Sequence, residues 1–429
     1  MLCRLRSSAS SIRKAKMTTS VLTEEFPIPN LTPQPASAVT IKSNVLESGM
    51  QSVSRDTTSA FVSFKFAVLG GSSAESKASK GAAHFLSTAA FAGNNSSSGM
   101  KIVNDLESLG ATFQSYSDKE KIVYDVKVLA DKAEPVIATV LSAIASPPHA
   151  SYILEELRGN AQLDYNRFAV DTSAQLRELV HEAAFGEASA LGSSQFATNL
   201  KKLSLAETLQ FRAANFVRGN VVVAANGISQ DRLNGALNKY SSVIPAGKAS
   251  APASSAFVGG EVKVRTDLDG SSRLGLAFAV PAGDAGKAYS VLNALVSSKL
   301  AAQQLCCSAY IQSFSKGGLM GVEAATTQHL EAYVAELKNI ATKCPDIEII
   351  KQKLTLEHFL TLEGACSTSV LLNAHLRGQG PQSAGDMRGV TAAEVSAAAA
   401  AALKSAPAYA VLGATAGTPS YGALTNMMK

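Results

Sequence analysis

The feature that most constrains this fold is that the second half of the chain replays the first. Lys65-Phe66-Ala67-Val68 returns as Ala277-Phe278-Ala279-Val280, and both tetrads end a strand-like run that leads towards a helix. Val223-Ala224-Ala225-Asn226-Gly227, followed by Gly235-Ala236-Leu237, returns as Ala410-Val411-Leu412-Gly413-Ala414, followed by Gly422-Ala423-Leu424. Echoes in the same order, spaced nearly half a chain apart, imply two similar units. With 429 residues, the chain divides into two domains of about two hundred residues each. The fold class expected is α+β, two homologous domains that each pack helices on a mixed, mostly antiparallel sheet.

Apolar periodicity fills in the elements. In the first unit, 39–240, strands are expected at Ile41–Leu46 and Ser59–Gly70. A hairpin over Thr112–Ala130 turns at Ser117-Asp118-Lys119-Glu120, and a buried strand spans Asn220–Asn226. Helices are expected at Lys80–Ala92 with Ser79 as N-cap, Ser98–Leu109, Lys132–Ala145, Tyr152–Phe168, Thr172–Phe185, Leu205–Arg218 and Ser229–Tyr240. Residues 241–260, rich in Ser, Ala, Pro and Gly, read as the linker.

In the second unit, 261–429, strands are expected at Val262–Thr266, Ser272–Val280 and Ala408–Leu412, with a hairpin over Ala309–Ala325. Its helices are expected at Ala285–Gln304, Gln328–Thr342, Asp346–Glu363, Thr368–Arg377 and Ala392–Ser405.

Charge sets the N-terminus apart. Arg4, Arg6, Arg13, Lys14 and Lys16 precede the first acid, Glu24, and account for the whole formal surplus of +5. Residues 1–23 read as a mitochondrial transit peptide or as a basic tail, and 24–38, with Pro27, Pro29, Pro33 and Pro35, as an extended arm. The remaining body is neutral, which argues against a nucleic-acid partner. No apolar run reaches the ~18 residues of a membrane span. Cys3, Cys306, Cys307, Cys344 and Cys366 have no C-x-x-C spacing and fit a reducing compartment.

One stretch carries the frame of an active site without its ligands. In Gly81-Ala82-Ala83-His84-Phe85-Leu86-Ser87-Thr88 the helical repeat puts positions 84 and 88 on one face with 87 beside them. An inverted H-x-x-E-H zinc helix uses that geometry, with two imidazoles on the metal and a carboxylate as general base. His84 takes the first ligand place, Ser87 the place of the base and Thr88 that of the second imidazole.

G-A-A-H-F-L-x-x-x-A-F resembles the inverzincin helix of the pitrilysin-type peptidases, in the branch of the mitochondrial processing peptidase and the core proteins of ubiquinol–cytochrome c reductase (the cytochrome bc1 complex). In active members a Glu further along completes the metal site; here Ala161–Arg167 offers Asp164 and Tyr165 instead. The resemblance therefore implies a non-catalytic relative with no metal and no cofactor of its own, its two domains facing each other across a cavity.

The helix pair Leu163–Arg167 and Ala174–Phe185, with the hairpin Ser313-Phe314-Ser315-Lys316-Gly317-Gly318-Leu319-Met320-Gly321, is similar to the core-protein-2 type. That likeness implies a peripheral protein on the matrix side of the mitochondrial inner membrane. Its implied partners are a core-protein-1 or beta-type processing peptidase subunit, cytochrome b, cytochrome c1 and the iron–sulfur protein. The rival implications are an alpha-type processing peptidase subunit and an active peptidase with a shifted ligand set.

Other candidates are weaker. His181-Glu182 starts an H-E-x-x-H that ends in Phe185, and His358 closes an H-x-x-E-H that begins with Leu354. His181 reads as a surface or half-buried helix residue. His149, His329 and His375 stand alone. Gly317-Gly318 and Gly378-Gln379-Gly380-Pro381 lack the context of a phosphate loop.

Overall fold

Alternating apolar residues build two sheets whose strand orders repeat each other. The computed structural model describes residues 39–57, 59–94, 97–146, 151–196, 203–251, 254–266, 271–381 and 383–429. The expected transit segment 1–23, the arm 24–38 and His149 lie outside them.

The first sheet contains β1 (Thr40–Val45), β2 (Gln51–Asp56), β3 (Phe61–Leu69), β4 (Thr112–Ser117), β5 (Lys121–Leu129) and β6 (Val221–Asn226), in the order β1-β2-β6-β3-β5-β4. The second contains β7 (Gly260–Arg265), β8 (Ser272–Val280), β9 (Cys307–Phe314), β10 (Gly317–Ala324) and β11 (Ala408–Gly413), in the order β7-β11-β8-β10-β9. Without the edge strand β1 the two orders are the same. In each sheet one pair is parallel, β2 with β6 and β7 with β11, and the others are antiparallel. The echoed tetrads fall on β3 and β8, and the second echo begins on β6 and β11, so the repeats occupy equivalent strands.

Helices α1 (Ala82–Thr88), α2 (Gly99–Ser108), α3 (Ala133–Ala145), α4 (Ser151–Val170), α5 (Thr172–Phe185), α6 (Leu205–Asn215) and α7 (Gln230–Tyr240) belong to the first half. The second half has α8 (Ala285–Ala302), α9 (Thr327–Thr342), α10 (Glu348–Glu363), α11 (Ser367–Leu376), α12 (Ala392–Lys404) and α13 (Tyr421–Met428). Strand alternation sends Phe64, Phe66 and Val68 of β3 into a core with α1, α2, α3 and α7, and Phe278 and Val280 of β8 into one with α8, α9 and α12.

The opposite faces are covered by exchange. Helix α5, from the first half, lays Leu176, Val180 and Ala184 on Ala277, Leu319, Ala410 and Leu412 of the second sheet. Helix α11, from the second half, lays Leu371 and Leu372 on Val53, Ala67, Val123, Val222 and Ala224 of the first sheet. Residues 39–429 are consequently one compact unit.

Three sequence expectations need correction. Strand β2 was not expected because Ser52, Ser54 and Arg55 hide its periodicity. All three are buried; Ser52 Oγ donates to Asn234 Oδ1 at 2.8 Å, and Arg55 Nη1 donates to the Leu362 carbonyl at 2.7 Å. Helix α13, capped by Ser420, was visible only as the echo of 235–237. Part of the linker is pinned: Arg218 N donates to Pro245 O at 3.0 Å, and Ser250 N to Asn220 Oδ1 at 2.6 Å.

Candidate functional site

Helix α1 is shorter than its spacing predicts, and its start is built differently. Gly81, at φ 89°, occupies the N-cap in a left-handed conformation that favours glycine, and Ser79 does not cap the helix. The cap comes from Glu75, whose carboxylate accepts from Gly81 N and Ala83 N at 2.8 Å each. Burial pushes the Glu75 carboxyl up to about 7, against the opposing pull of those two amides. Sequence reading missed Glu75; an acid six residues upstream of a glycine start was its one trace. After Thr88 the chain turns at Ala89–Phe91 rather than continuing the helix to Ala92.

Residues 82–87 are all buried, so the helix has no solvent face there. His84 is 5% exposed, and its Nδ1 has no hydrogen-bond partner. Burial lowers its pKa, and the Asp164 carboxylate, opposite it on α4, opposes that shift. Ser87 Oγ and Thr88 Oγ1 both donate to the His84 carbonyl, at 2.8 and 3.1 Å. Asp164 pairs with Arg167 at 3.1 Å. Tyr165 joins an aromatic series with centroid separations of 6.1 Å to Phe168, 4.3 Å from Phe168 to Phe196, and 5.3 Å from Phe196 to His84.

The structure thus gathers His84, Ser87, Thr88 and Asp164, and connects Tyr165 to them through rings. This donor set does not fit a zinc centre, which needs three protein ligands and a base for its water. One imidazole is present, both hydroxyls are committed to a backbone carbonyl, and the carboxylate is committed to a guanidinium. Among the described residues no three His, Cys, Asp or Glu side chains gather closely enough to hold a metal ion.

Beside the start of α1 a cavity of about 270 Å³ opens between the halves, lined by Lys80, Glu178, Glu182 and Glu187 and by Val264 and Leu412 of the second half. Lys80 pairs with Glu187 at 3.4 Å. Glu178 is held by Lys119, 1% exposed, whose Nζ donates to it and to the Ser193 carbonyl at 2.9 Å each. Burial and the neighbouring Glu187 raise the Glu182 pKa.

The other histidines among the described residues are held by packing and local contacts. His181, expected at the surface or half-buried, is 2% exposed, because α5 is inserted against the second sheet. Its Nε2 meets Gln312 Oε1 at 2.9 Å, its Nδ1 has no partner, and burial pushes its pKa down to about 4, with Lys119 adding to the shift. His375 Nε2 meets Gln51 Oε1 at 2.8 Å, and His358 Nε2 meets Pro381 O at 2.8 Å. His329 caps nothing with its ring and sits on α9 with Nδ1 unpartnered.

Comparison with known proteins agrees with the family resemblance of this stretch. Residues 52–198 match the family model for insulinase (Peptidase family M16). The mitochondrial-processing peptidase subunit alpha of Solanum tuberosum is 24% identical over 240 residues, 56% of this chain; the match spans about half, 47%, of that relative's length. The probable mitochondrial-processing peptidase subunit alpha-2 of Arabidopsis thaliana is 22% identical over 79% of this chain and 72% of its own. The cytochrome b-c1 complex subunit 2, mitochondrial, of Saccharomyces cerevisiae is 27% identical over 71% of this chain and 84% of its own. No helix among the described residues is long and apolar enough to cross a membrane.

Proposed function

From its place, through residues 52–198, in the M16 peptidase family, we propose that this chain is a non-catalytic core subunit of the core-protein-2 type in mitochondrial ubiquinol–cytochrome c reductase. The observation that carries the loss of catalysis is the commitment of both substituting hydroxyls, Ser87 and Thr88, to the His84 carbonyl. With neutral hydroxyls where a carboxylate base and a second imidazole would stand, and a single imidazole left, the helix serves packing. The choice of complex is supported by the yeast subunit 2 relative, matched over 84% of its length.

In this reading the chain is a matrix-side, peripheral scaffold, built as halves 39–240 and 261–429 joined through 241–260 and led by a transit segment. It pairs with a core-protein-1 or beta-type processing peptidase subunit and supports cytochrome b, cytochrome c1 and the iron–sulfur protein. It holds no cofactor.

The cavity beside α1 favours a second reading, an alpha-type subunit that holds cationic presequences for a catalytic partner. Three carboxylates, Glu178, Glu182 and Glu187, stand there against Lys80 and the Lys119 that holds Glu178. The two readings separate in one experiment: the tagged chain is recovered from mildly solubilised mitochondrial membranes and the native complex is read by heme spectrum, mass spectrometry and presequence cleavage. Co-migration with b- and c-type cytochromes supports the respiratory subunit. A heme-free heterodimer that cleaves presequences overturns it in favour of the alpha-type subunit.

A further inference from the structure

The turn between β4 and β5 sends a lysine inward. Lys119 is 1% exposed, and an ammonium is costly to bury without partners. It has two: Nζ donates to Glu178 Oε2 and to the Ser193 carbonyl, at 2.9 Å each. Both acceptors belong to residues that line the cavity beside α1, and Lys119 reaches them from behind that wall. Glu178 Oε2 also accepts from Gln195 N at 3.1 Å, and Gln195 Nε2 donates to the Ser117 carbonyl at 2.6 Å. The carboxylate and the carbonyl together form a seat for one cation, and the chain fills it with its own.

The turn that carries Lys119 is clamped from both halves. From the first half, Ser73 N donates to the Lys119 carbonyl at 2.8 Å and Gly70 N to the Glu120 carbonyl at 3.2 Å. Gly71 lets this loop lie against the turn, since a Cβ there would stand 2.2 Å from the Asp118 carbonyl oxygen. From the second half, Ser315, in the turn between β9 and β10, donates from its N to the two Glu120 carboxylate oxygens at 3.0 and 3.1 Å. Ser315 Oγ donates to the same carboxylate. A side chain whose backbone is fixed on both sides is preorganised for its seat, so seating it costs less freedom.

We propose that the β4–β5 turn is a built-in plug, in which Lys119 occupies a cation seat in the cavity wall and withholds Glu178 from any cationic side chain entering from outside. The contact is autoinhibitory. It leaves Glu182 and Glu187 of the three cavity carboxylates, and Lys80 stands against Glu187 at 3.4 Å. The Lys80 pair is exposed and displaceable, because such pairs contribute little. The Lys119 pair is not, because separating it strands a buried charge. This contact is independent of which complex the chain belongs to.

The test uses the purified full chain and n-propylammonium, the part of a lysine side chain that Lys119→Ala removes, with n-propanol as its uncharged control. Wild type is expected to show no saturable response to either, in melting temperature or in saturation-transfer NMR of the added compound. Lys119→Ala is expected to melt roughly 5 °C lower, and n-propylammonium to restore at least about half of that loss along a saturating curve. n-Propanol should restore none of it. Adding Glu178→Gln to Lys119→Ala should weaken n-propylammonium binding at least about tenfold, because the seat then lacks its charge. If Lys119→Ala does not fold alone, its refolding yield decides: recovery with n-propylammonium and not with n-propanol upholds the seat, and any other result overturns it. A wild type that binds n-propylammonium as tightly as Lys119→Ala, a variant that answers both compounds alike, or binding that survives Glu178→Gln overturns the plug.

Discussion

The two exchanged helices solve one problem in different ways. Helix α5 covers the second sheet at very short range: a Cβ built on Gly275 of β8 would lie 2.6 Å from Val180 Cγ2 and 3.2 Å from Leu176 Cγ. Helix α11 covers the first sheet over larger side chains, Val53, Val123 and Val222, and no glycine is needed. Each helix carries an imidazole bonded to a glutamine of the other half, His181 to Gln312 and His375 to Gln51. Burial lowers the pKa of both, and for His181 the buried Lys119 adds to the effect. The second sheet thus depends on a close fit and an uncharged ring, and the first on bulk. Similar architectures accommodate both because the exchanged helix is held by apolar area, which is insensitive to detail.

The largest test of this contrast is truncation on each side. Leu176→Ala and Leu371→Ala should each destabilise by about 3 kcal/mol in urea unfolding, since both side chains are fully enclosed. Loss confined to one of them would show that the two insertions are not equivalent in strength. Gly275→Val should cost about 2 kcal/mol by overpacking, whereas Ala67→Val, on the equivalent strand β3, should cost less if bulk is tolerated there.

Titration sharpens the comparison. The folded pKa of His181, about 4, lies below its ordinary 6.5, so its neutral burial stabilises fully above pH 6.5. That contribution is lost as pH falls from 6.5 towards 4. His181→Gln should flatten this acid limb in melting temperature against pH, and His375→Gln should flatten it less. Glu75 has the opposite sign. Its folded pKa of about 7 lies above 4.5, so the stability linked to its protonation is present below pH 4.5 and disappears as pH rises through 7. Glu75→Gln should remove a dependence of roughly 3 kcal/mol over that window, readable as a change in slope. The smallest effect belongs to the surface pair: Arg167→Ala should change monomer stability by less than about 0.5 kcal/mol.

Much of the architecture was legible in the residues. Thr172–Phe185 and Ser272–Val280 coincide with their elements, and Asp118–Glu120 of the expected turn separate β4 from β5, with Ser117 ending β4. These signals are local, arising from helix capping, apolar period and turn chemistry. The candidate site was legible as a frame, since residue spacing alone places 84, 87 and 88 together on a helix. Its details were not. The cap by Glu75 needed the loop that folds back over Gly81, and the fate of the Ser87 and Thr88 hydroxyls needed the helix to be enclosed on all sides.

By itself, then, the order of residues determined most of the elements, the repeat and the substituted zinc helix, because each is written within a few turns of chain. Only the tertiary structure decided that each half lends a helix to the other, that His181 is buried, and that a carboxylate beside His84 is already paired with Arg167. The inner faces of both sheets are apolar and accept either helix by pattern. The selection rests on long-range fit, such as the space left by Gly275 under Val180, and that information is in no single stretch of the chain.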